Sequence, residues 1–181
     1  MTAINIQNYS FSEQDRLFFD TNIWVFIYGP QSYSDSRRQK IYSGAFQSII
    51  TNGGKIYLDI LVLTEFINRM TRFYYDLWCE ENNMSLNFKD FRSMEEFKQI
   101  TKEIEIASNM ILIDSIQIES GFAKMNVSSL LKCFTQKQID FNDLVIENIC
   151  QENHLKLVTD DRDYLESNVQ ILTSNKKILN S

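Results

Sequence analysis

Carboxylates follow two apolar runs of the sequence directly, at the points where predicted strands end. Asp20 follows the run RLFF, and Asp160, Asp161 and Asp163 follow the run LKLVT. Because the carboxyl ends of parallel strands meet at one edge of a sheet, we expect these side chains to lie close together. Carboxylates without His or Cys suit a hard cation such as Mg²⁺ or Mn²⁺, which binds phosphates and activates water. The spacing therefore predicts metal-dependent phosphodiester hydrolysis.

Two further groups of acids are candidates for the same edge. Glu65 comes six residues after the predicted strand KIYLD, in the first turns of the next helix, although an exposed pair with Arg69 at i,i+4 would also explain it. Asp59 ends that strand and is expected to cap the helix. Asp140 and Asp143 straddle the start of a later apolar helix. Either of them is a suitable N-cap, so the sequence leaves their roles open.

A cluster of carboxylates needs a compensating positive charge. Two carboxylates about 4 Å apart repel by roughly 4 kcal/mol at an effective dielectric constant near 20. Raised pKa values or a bound cation would relieve this repulsion. Residues 140–166 carry eight acids against two bases, which equals the net charge of −6 of the whole chain. No broad basic surface is expected, and a polyanion would need local contacts, for which the candidates are Arg69, Arg72, Lys124, Lys132 and Lys137.

Short apolar runs alternate with helical patterns along the chain. The runs predicted as strands are RLFF, KIYLD, MILID, LKLVT and VQILT. Unbroken runs indicate strands that are covered on both faces, so we predict a three-layer α/β/α fold with an approximately five-stranded, mostly parallel sheet. We predict an N-terminal extension at 1–15, before the first strand, and one domain at 16–181. Within that domain, about 64–109 form a helical elaboration whose aromatic residues serve as core, dimer surface or substrate wall.

Composition limits the class of protein. The 181 residues, 44% of them hydrophobic, fit a single folded domain. The sequence has no apolar run long enough to span a membrane and no signal-peptide pattern, so we expect a soluble cytoplasmic protein. Three widely spaced cysteines fit reduced thiols better than disulfides.

Four strings, taken in order, resemble the motifs of the PIN-domain family of ribonucleases, which includes the VapC-like toxins of toxin-antitoxin pairs. FFDTNIW resembles the first motif, LVLTEFINRM the second, DFNDLVIENI the third and LKLVTDDRDY the fourth. The resemblance runs from about Arg16 to Thr173. It implies a five-stranded parallel sheet with helices on both faces.

The resemblance also implies an activity and a site. The family's usual reaction is metal-dependent cleavage of RNA with Mg²⁺ or Mn²⁺. Matched position by position, the motifs imply that an acidic quartet is catalytic and binds the metal, with one further ligand and two supporting residues. The quartet is Asp20, Glu65, Asp143 and Asp161, the further ligand is Asp163, and the supporting residues are Asn22 and Thr159. Candidate partners are RNA, a second copy of the chain and a small antitoxin protein.

Two other functions compete with the ribonuclease. A phosphatase of the haloacid dehalogenase type would use Asp20 as a nucleophile, but that chemistry needs a second Asp where Asn22 stands. A catalytically inactive PIN-fold module would keep the fold only to bind a partner.

Overall fold

A six-stranded parallel sheet forms the centre of the protein. The computed structural model describes residues 3–33, 35–137 and 139–180. The strands are β1 (Ala3–Asn5), β2 (Arg16–Phe19), β3 (Lys55–Leu58), β4 (Ile116–Gln117), β5 (Lys156–Val158) and β6 (Ile171–Thr173). Their order across the sheet is β1-β6-β5-β2-β3-β4, and every neighbouring pair is parallel. The predicted α/β class is confirmed.

Helices connect and cover the strands. They are α1 (Thr21–Tyr28), α2 (Ser36–Thr51), α3 (Ile60–Asn82), α4 (Phe88–Phe91), α5 (Glu95–Ile113), α6 (Val127–Lys137), α7 (Phe141–Glu152) and α8 (Lys176–Leu179). Helix α1 packs against α2, α3 and α5, whereas α7 packs against α6 and β5. Each central strand begins with a basic residue and is apolar from there on, and Leu17, Phe18, Leu157 and Val158 are all fully buried. Continuous apolar runs therefore mark these strands because neither of their faces meets water.

The predicted helical elaboration consists of the outer part of α3, the short α4 and α5. Helix α3 ends at Asn82, and the next residue, Asn83, closes it in the left-handed conformation with φ of 54°. Phe91 of α4 is completely buried and packs against the rings of Tyr75, Trp78 and Phe97. These aromatic side chains therefore form a small core of their own, which fixes α4 between the two long helices.

The run MILID at 110–114 was predicted as a strand, and that prediction is wrong. Helix α5 continues to Ile113, and the two-residue strand β4 follows it. The buried positions Ile104, Ser108 and Ile111 keep the helical spacing of four and three residues, while Met110 and Ile113 face solvent. A short apolar run at the end of a helix cannot be distinguished from a strand by its composition.

The segment 1–15 contributes a strand, which the sequence analysis did not predict. Strand β1 pairs with β6, with Ala3 opposite Ile171. The segment is also attached at its other end, because Asp15 accepts hydrogen bonds from Tyr9 and Lys156 at 2.7 and 2.5 Å. Burial alone would raise the pKa of Asp15, but these hydrogen bonds lower it. Residues 3–15 thus complete the sheet at its edge.

None of the described helices is both long enough and apolar enough to cross a membrane.

Candidate active site

The pairing of β2 with β5 places the first two candidate residues side by side. Phe19 pairs with Val158, so the next residues, Asp20 and Thr159, both lie at the carboxyl edge of the sheet. Asp20 is also the N-cap of α1, because its carboxylate accepts the Thr21 N–H at 2.6 Å. The carboxylate is 6% exposed. The capping role and a functional role are therefore combined in one side chain.

The two predicted supporting residues both contact Asp20. The Thr159 hydroxyl donates to Asp20 Oδ2 at 2.7 Å, and the Asn22 side-chain amide donates to the same oxygen at 2.5 Å. Asn22 Oδ1 in turn accepts the backbone N–H of Asp160 at 3.2 Å. Asn22 thus joins the loop after β2 to the loop after β5, which fixes the direction of the Asp20 carboxylate.

Glu65 reaches the edge from the second turn of α3. Asp59 caps this helix, as predicted, by accepting the Leu61 N–H at 2.8 Å. One oxygen of Glu65 accepts the Thr21 hydroxyl at 3.1 Å, and the other lies 2.7 Å from the Arg69 guanidinium. Glu65 therefore makes the predicted pair with Arg69 and also contacts the residue that follows Asp20.

The start of α7 resolves the choice between Asp140 and Asp143. Asp140 is the N-cap and accepts the Asn142 N–H at 2.7 Å. Asp143 lies in the first turn, free of that role. Burial raises the pKa of Asp143, and the hydroxyl of the buried Tyr164 lies close enough to that carboxyl to oppose part of the rise.

The three aspartates after β5 have different environments. The backbone N–H of Asp161 donates to the Thr159 hydroxyl at 3.0 Å, and its carboxylate caps a 3₁₀ turn at Arg162–Glu166. Asp163 is exposed, and its backbone N–H donates to Asp161 Oδ1 at 3.1 Å. Asp161 therefore adjoins the site, and Asp163 lies at its outer margin.

Asp160 faces away from the other acids and is neutralised by a separate network. Its carboxylate accepts the Tyr42 hydroxyl at 2.7 Å and lies 2.8 Å from the Arg38 guanidinium. Its carbonyl oxygen accepts the Asn175 side-chain amide at 2.7 Å. These contacts tie the loop after β5 to α2 and to the loop after β6, so Asp160 holds the backbone on which Asp161 stands.

The four acids of the predicted quartet are close enough for their charges to interact. Burial raises the pKa of Asp20 to about 6, and the charges of Glu65 and Asp161 add to the rise. Burial raises the pKa of Asp143 to about 7, with further contributions from the charges of Asp20 and Asp161. Burial and the repulsion between these carboxylates therefore both oppose the ionisation of Asp20 and Asp143 in the protein alone.

The chemistry of these side chains fits a hard divalent cation. All four offer carboxylate oxygens, which such a cation prefers. The buried thiol of Cys150 lies near enough to feel the charge of Asp20, and burial raises its pKa. Within residues 3–33, 35–137 and 139–180, however, no three acidic, His or Cys side chains are already grouped as metal ligands. The acids thus lie at one edge of the sheet and feel one another's charge without forming a closed coordination shell.

Sequence reasoning missed two residues of this site. Thr21 was not among the candidates, but its hydroxyl links Glu65 to the Asp20 loop. Tyr164 occupies the aromatic position of the string TDDRDY, and burial, together with the charges of Asp20 and Asp143, raises the pKa of its hydroxyl. The aromatic letter of the motif was the available signal for Tyr164, whereas nothing in the sequence distinguishes Thr21 from a helix-starting residue.

Comparison with known proteins agrees with this architecture. The model of the PIN domain family matches residues 17–168. No curated protein matches the chain. A chain in the crystal structure of VapBC2 from Rickettsia felis, bound to a DNA fragment from the promoter, has 17% identity and a TM-score of 0.54. The match covers 87% of this chain and 97% of that one. PAE2754 from Pyrobaculum aerophilum has 12% identity and a TM-score of 0.46, with coverage of 99% and 97%. With most of its length matched by the family model, the chain belongs to the PIN domain family.

Proposed function

We propose that this protein is a divalent-metal-dependent endoribonuclease that hydrolyses phosphodiester bonds in RNA. The observation that carries the proposal is the convergence of carboxylates at the carboxyl edge of the sheet, where the buried Asp20 and the partly buried Asp143 feel one another's charge and both have a raised pKa. Such a concentration of negative charge is costly for folding, and perturbed carboxylates in one place favour a functional site. PIN domains are generally nucleases, which supports the same conclusion.

Each residue of the site has a role in this mechanism. Asp20, Glu65, Asp143 and Asp161 would hold Mg²⁺ or Mn²⁺, and Asp163 would be a further ligand. The chemistry supplied by the bound cation is neutralisation of phosphate charge and activation of a water for in-line attack. Asn22 and Thr159 orient the Asp20 carboxylate, and Thr21 orients that of Glu65. Tyr164 presents its hydroxyl to Asp143.

The test compares two Asp→Asn variants on a labelled RNA with Mn²⁺, with Mg²⁺ and with EDTA. We expect Asp20→Asn to remove cleavage and Asp140→Asn to retain it, because Asn also caps a helix and Asp140 is outside the quartet. Retained metal-dependent cleavage by the Asp20 variant would refute the assignment. A generic phosphomonoester is assayed in parallel, because hydrolysis of that substrate alone would favour the phosphatase.

We further propose that the protein acts in the cytoplasm as the toxin of a toxin-antitoxin pair, with a small antitoxin protein as its partner and a homodimer as its assembly. The fold likeness to a chain of VapBC2 supports this role. The product of an adjacent reading frame should co-purify with the chain and inhibit its ribonuclease activity. Light scattering of the isolated protein tests the homodimer.

A further inference from the structure

A cleft of about 510 Å³ opens beside Glu65, and one face of α3 forms most of its wall. The lining residues of α3 run from Leu61 to Asp76 at helical spacings of three and four. At a rise of 1.5 Å per residue, the part from Glu65 to Asp76 is about 16 Å long. Asn142, next to Asp143, closes the inner end. The cleft is therefore continuous with the acidic site.

Two aromatic and two basic side chains line this cleft, namely Tyr33, Phe73, Arg69 and Arg72. The rings of Phe73 and Tyr33 contact each other edge to face at 4.8 Å between centroids. Arg72 is placed by stacking on the ring of Phe88, with its guanidinium 3.7 Å from the ring centre. Arg69 adds a second cation, of which 42% is exposed. The volume lies within the range of about 300–1,000 Å³ that is common for ligand sites.

We propose that this cleft binds a single-stranded segment of the RNA next to the cleaved phosphate, with an unpaired base stacked on one ring of the Phe73–Tyr33 pair, which the other ring holds in place, and the backbone phosphate at Arg72 and Arg69. The choice of RNA as the occupant rests on the proposed function. The outer part of the cleft is made by the helical elaboration, so the long α3 gives this chain its own substrate wall.

Three features select a single strand over a duplex. Bases in a duplex are stacked on one another and hide their faces, whereas the wall offers ring surface and two local cations. The chain carries a net charge of −6, so a broad basic surface that could follow two backbones is not available. Asp76 at the outer end of the cleft also limits the positive charge to its middle.

The inference is tested in the full-length Asp20→Asn protein, so that binding is measured without cleavage. The probe is a single-stranded oligoribonucleotide that carries 2-aminopurine at successive positions, because the fluorescence of this base is quenched when it stacks on a ring. We expect quenching at one or two positions. Phe73→Leu and Tyr33→Leu should each remove the quenching and weaken binding about tenfold, since stacking contributes on that scale. Phe73→Tyr keeps a ring and should restore both.

Matched controls separate stacking from general loosening. Phe97→Leu removes a ring from the aromatic core of the elaboration, outside the cleft, and should leave the quenching unchanged. Arg72→Met should weaken binding and lower the salt dependence by about one phosphate contact. Lys55→Met removes the same charge at the opposite, amino edge of the sheet and should change neither.

The outcomes distinguish this inference from the proposed function. If the quenching depends on the Phe73 ring but the wild type does not cleave RNA, the RNA-binding role of the cleft stands and the ribonuclease function is wrong. Cleavage by the wild type with an unchanged KM in Phe73→Leu would keep the ribonuclease and overturn the cleft. Equal binding of duplex and single strand, independent of Phe73, would also overturn the cleft and would favour a protein occupant.

Discussion

Asp143→Asn is expected to make the protein more stable near neutral pH when no divalent cation is present. The reason is that Asp143 is largely buried beside the charges of Asp20 and Asp161, which oppose its ionisation. The amide keeps the size of the carboxyl and removes the charge. A substitution in the proposed active site should therefore abolish activity and raise stability together.

The size of the effect follows from the pKa. The pKa of Asp143 rises from 3.8 to about 7 in the folded protein. At about 1.4 kcal/mol per unit this corresponds to about 4 kcal/mol, and partial exposure to solvent reduces it to about 2 kcal/mol. Because the folded-state pKa is raised, protonated Asp143 contributes stability to the folded protein. This contribution is fully present below about pH 4 and is lost as the pH rises through 7.

Urea unfolding, followed by the fluorescence of Trp24 and Trp78, measures the difference. With EDTA present, the unfolding free energy of the wild type should fall between about pH 4 and 7, and that of the variant should fall less. Near pH 8 a gain of about 2 kcal/mol corresponds to a melting temperature higher by about 4–8 °C. Asp140→Asn, which removes an exposed charge three residues away, should follow the wild type.

A variant of Asp143 that is equal to or less stable than the wild type at every pH would contradict this reasoning. So would a gain of the same size at pH 5 and pH 8, because removal of a titrating charge must give a difference that grows with pH.

Three other results are expected. Mn²⁺ should raise the melting temperature of the wild type by several degrees and have little effect on that of Asp20→Asn, as measured by scanning calorimetry. An equal rise in both proteins would show that Asp20 does not contribute to metal binding. Thr21→Val should cost about 1 kcal/mol and lower kcat, because Glu65 loses its hydroxyl donor; unchanged kcat would make Thr21 purely structural. Asp160→Ala should cost about 1–3 kcal/mol in urea unfolding, since the Tyr42 hydroxyl and Arg38 lose their acceptor, and no loss would show that the network is dispensable.

The position of the acidic edge could be predicted from the sequence because it depends on local facts. An apolar run that ends in Asp fixes both a strand and the residue at its carboxyl end. Phe19 of the first run pairs with Val158 of the second, so Asp20 and Thr159 become neighbours once the two strands pair in parallel. The structure confirms this adjacency, while the assignment of catalytic and metal-binding roles remains a prediction.

The division of labour among neighbouring acids could not be predicted in the same way. Asp160 and Asp161 are adjacent and chemically identical, and only the position of Tyr42, more than a hundred residues earlier, shows which of them is neutralised. Likewise, both Asp140 and Asp143 are suitable N-caps, and the backbone at the start of α7 decides between them. Such choices depend on tertiary contacts, which composition and spacing do not encode.

The pairing of β1 with β6 joins two strands that are far apart in the sequence. Ala3–Asn5 lie beside Ile171–Thr173, so this ladder closes a loop that contains all the other strands of the sheet. During synthesis on a ribosome, β1 cannot take its place beside β6 until β6 has left the exit tunnel. This margin of the sheet is consequently assembled only after the four intervening strands have been made.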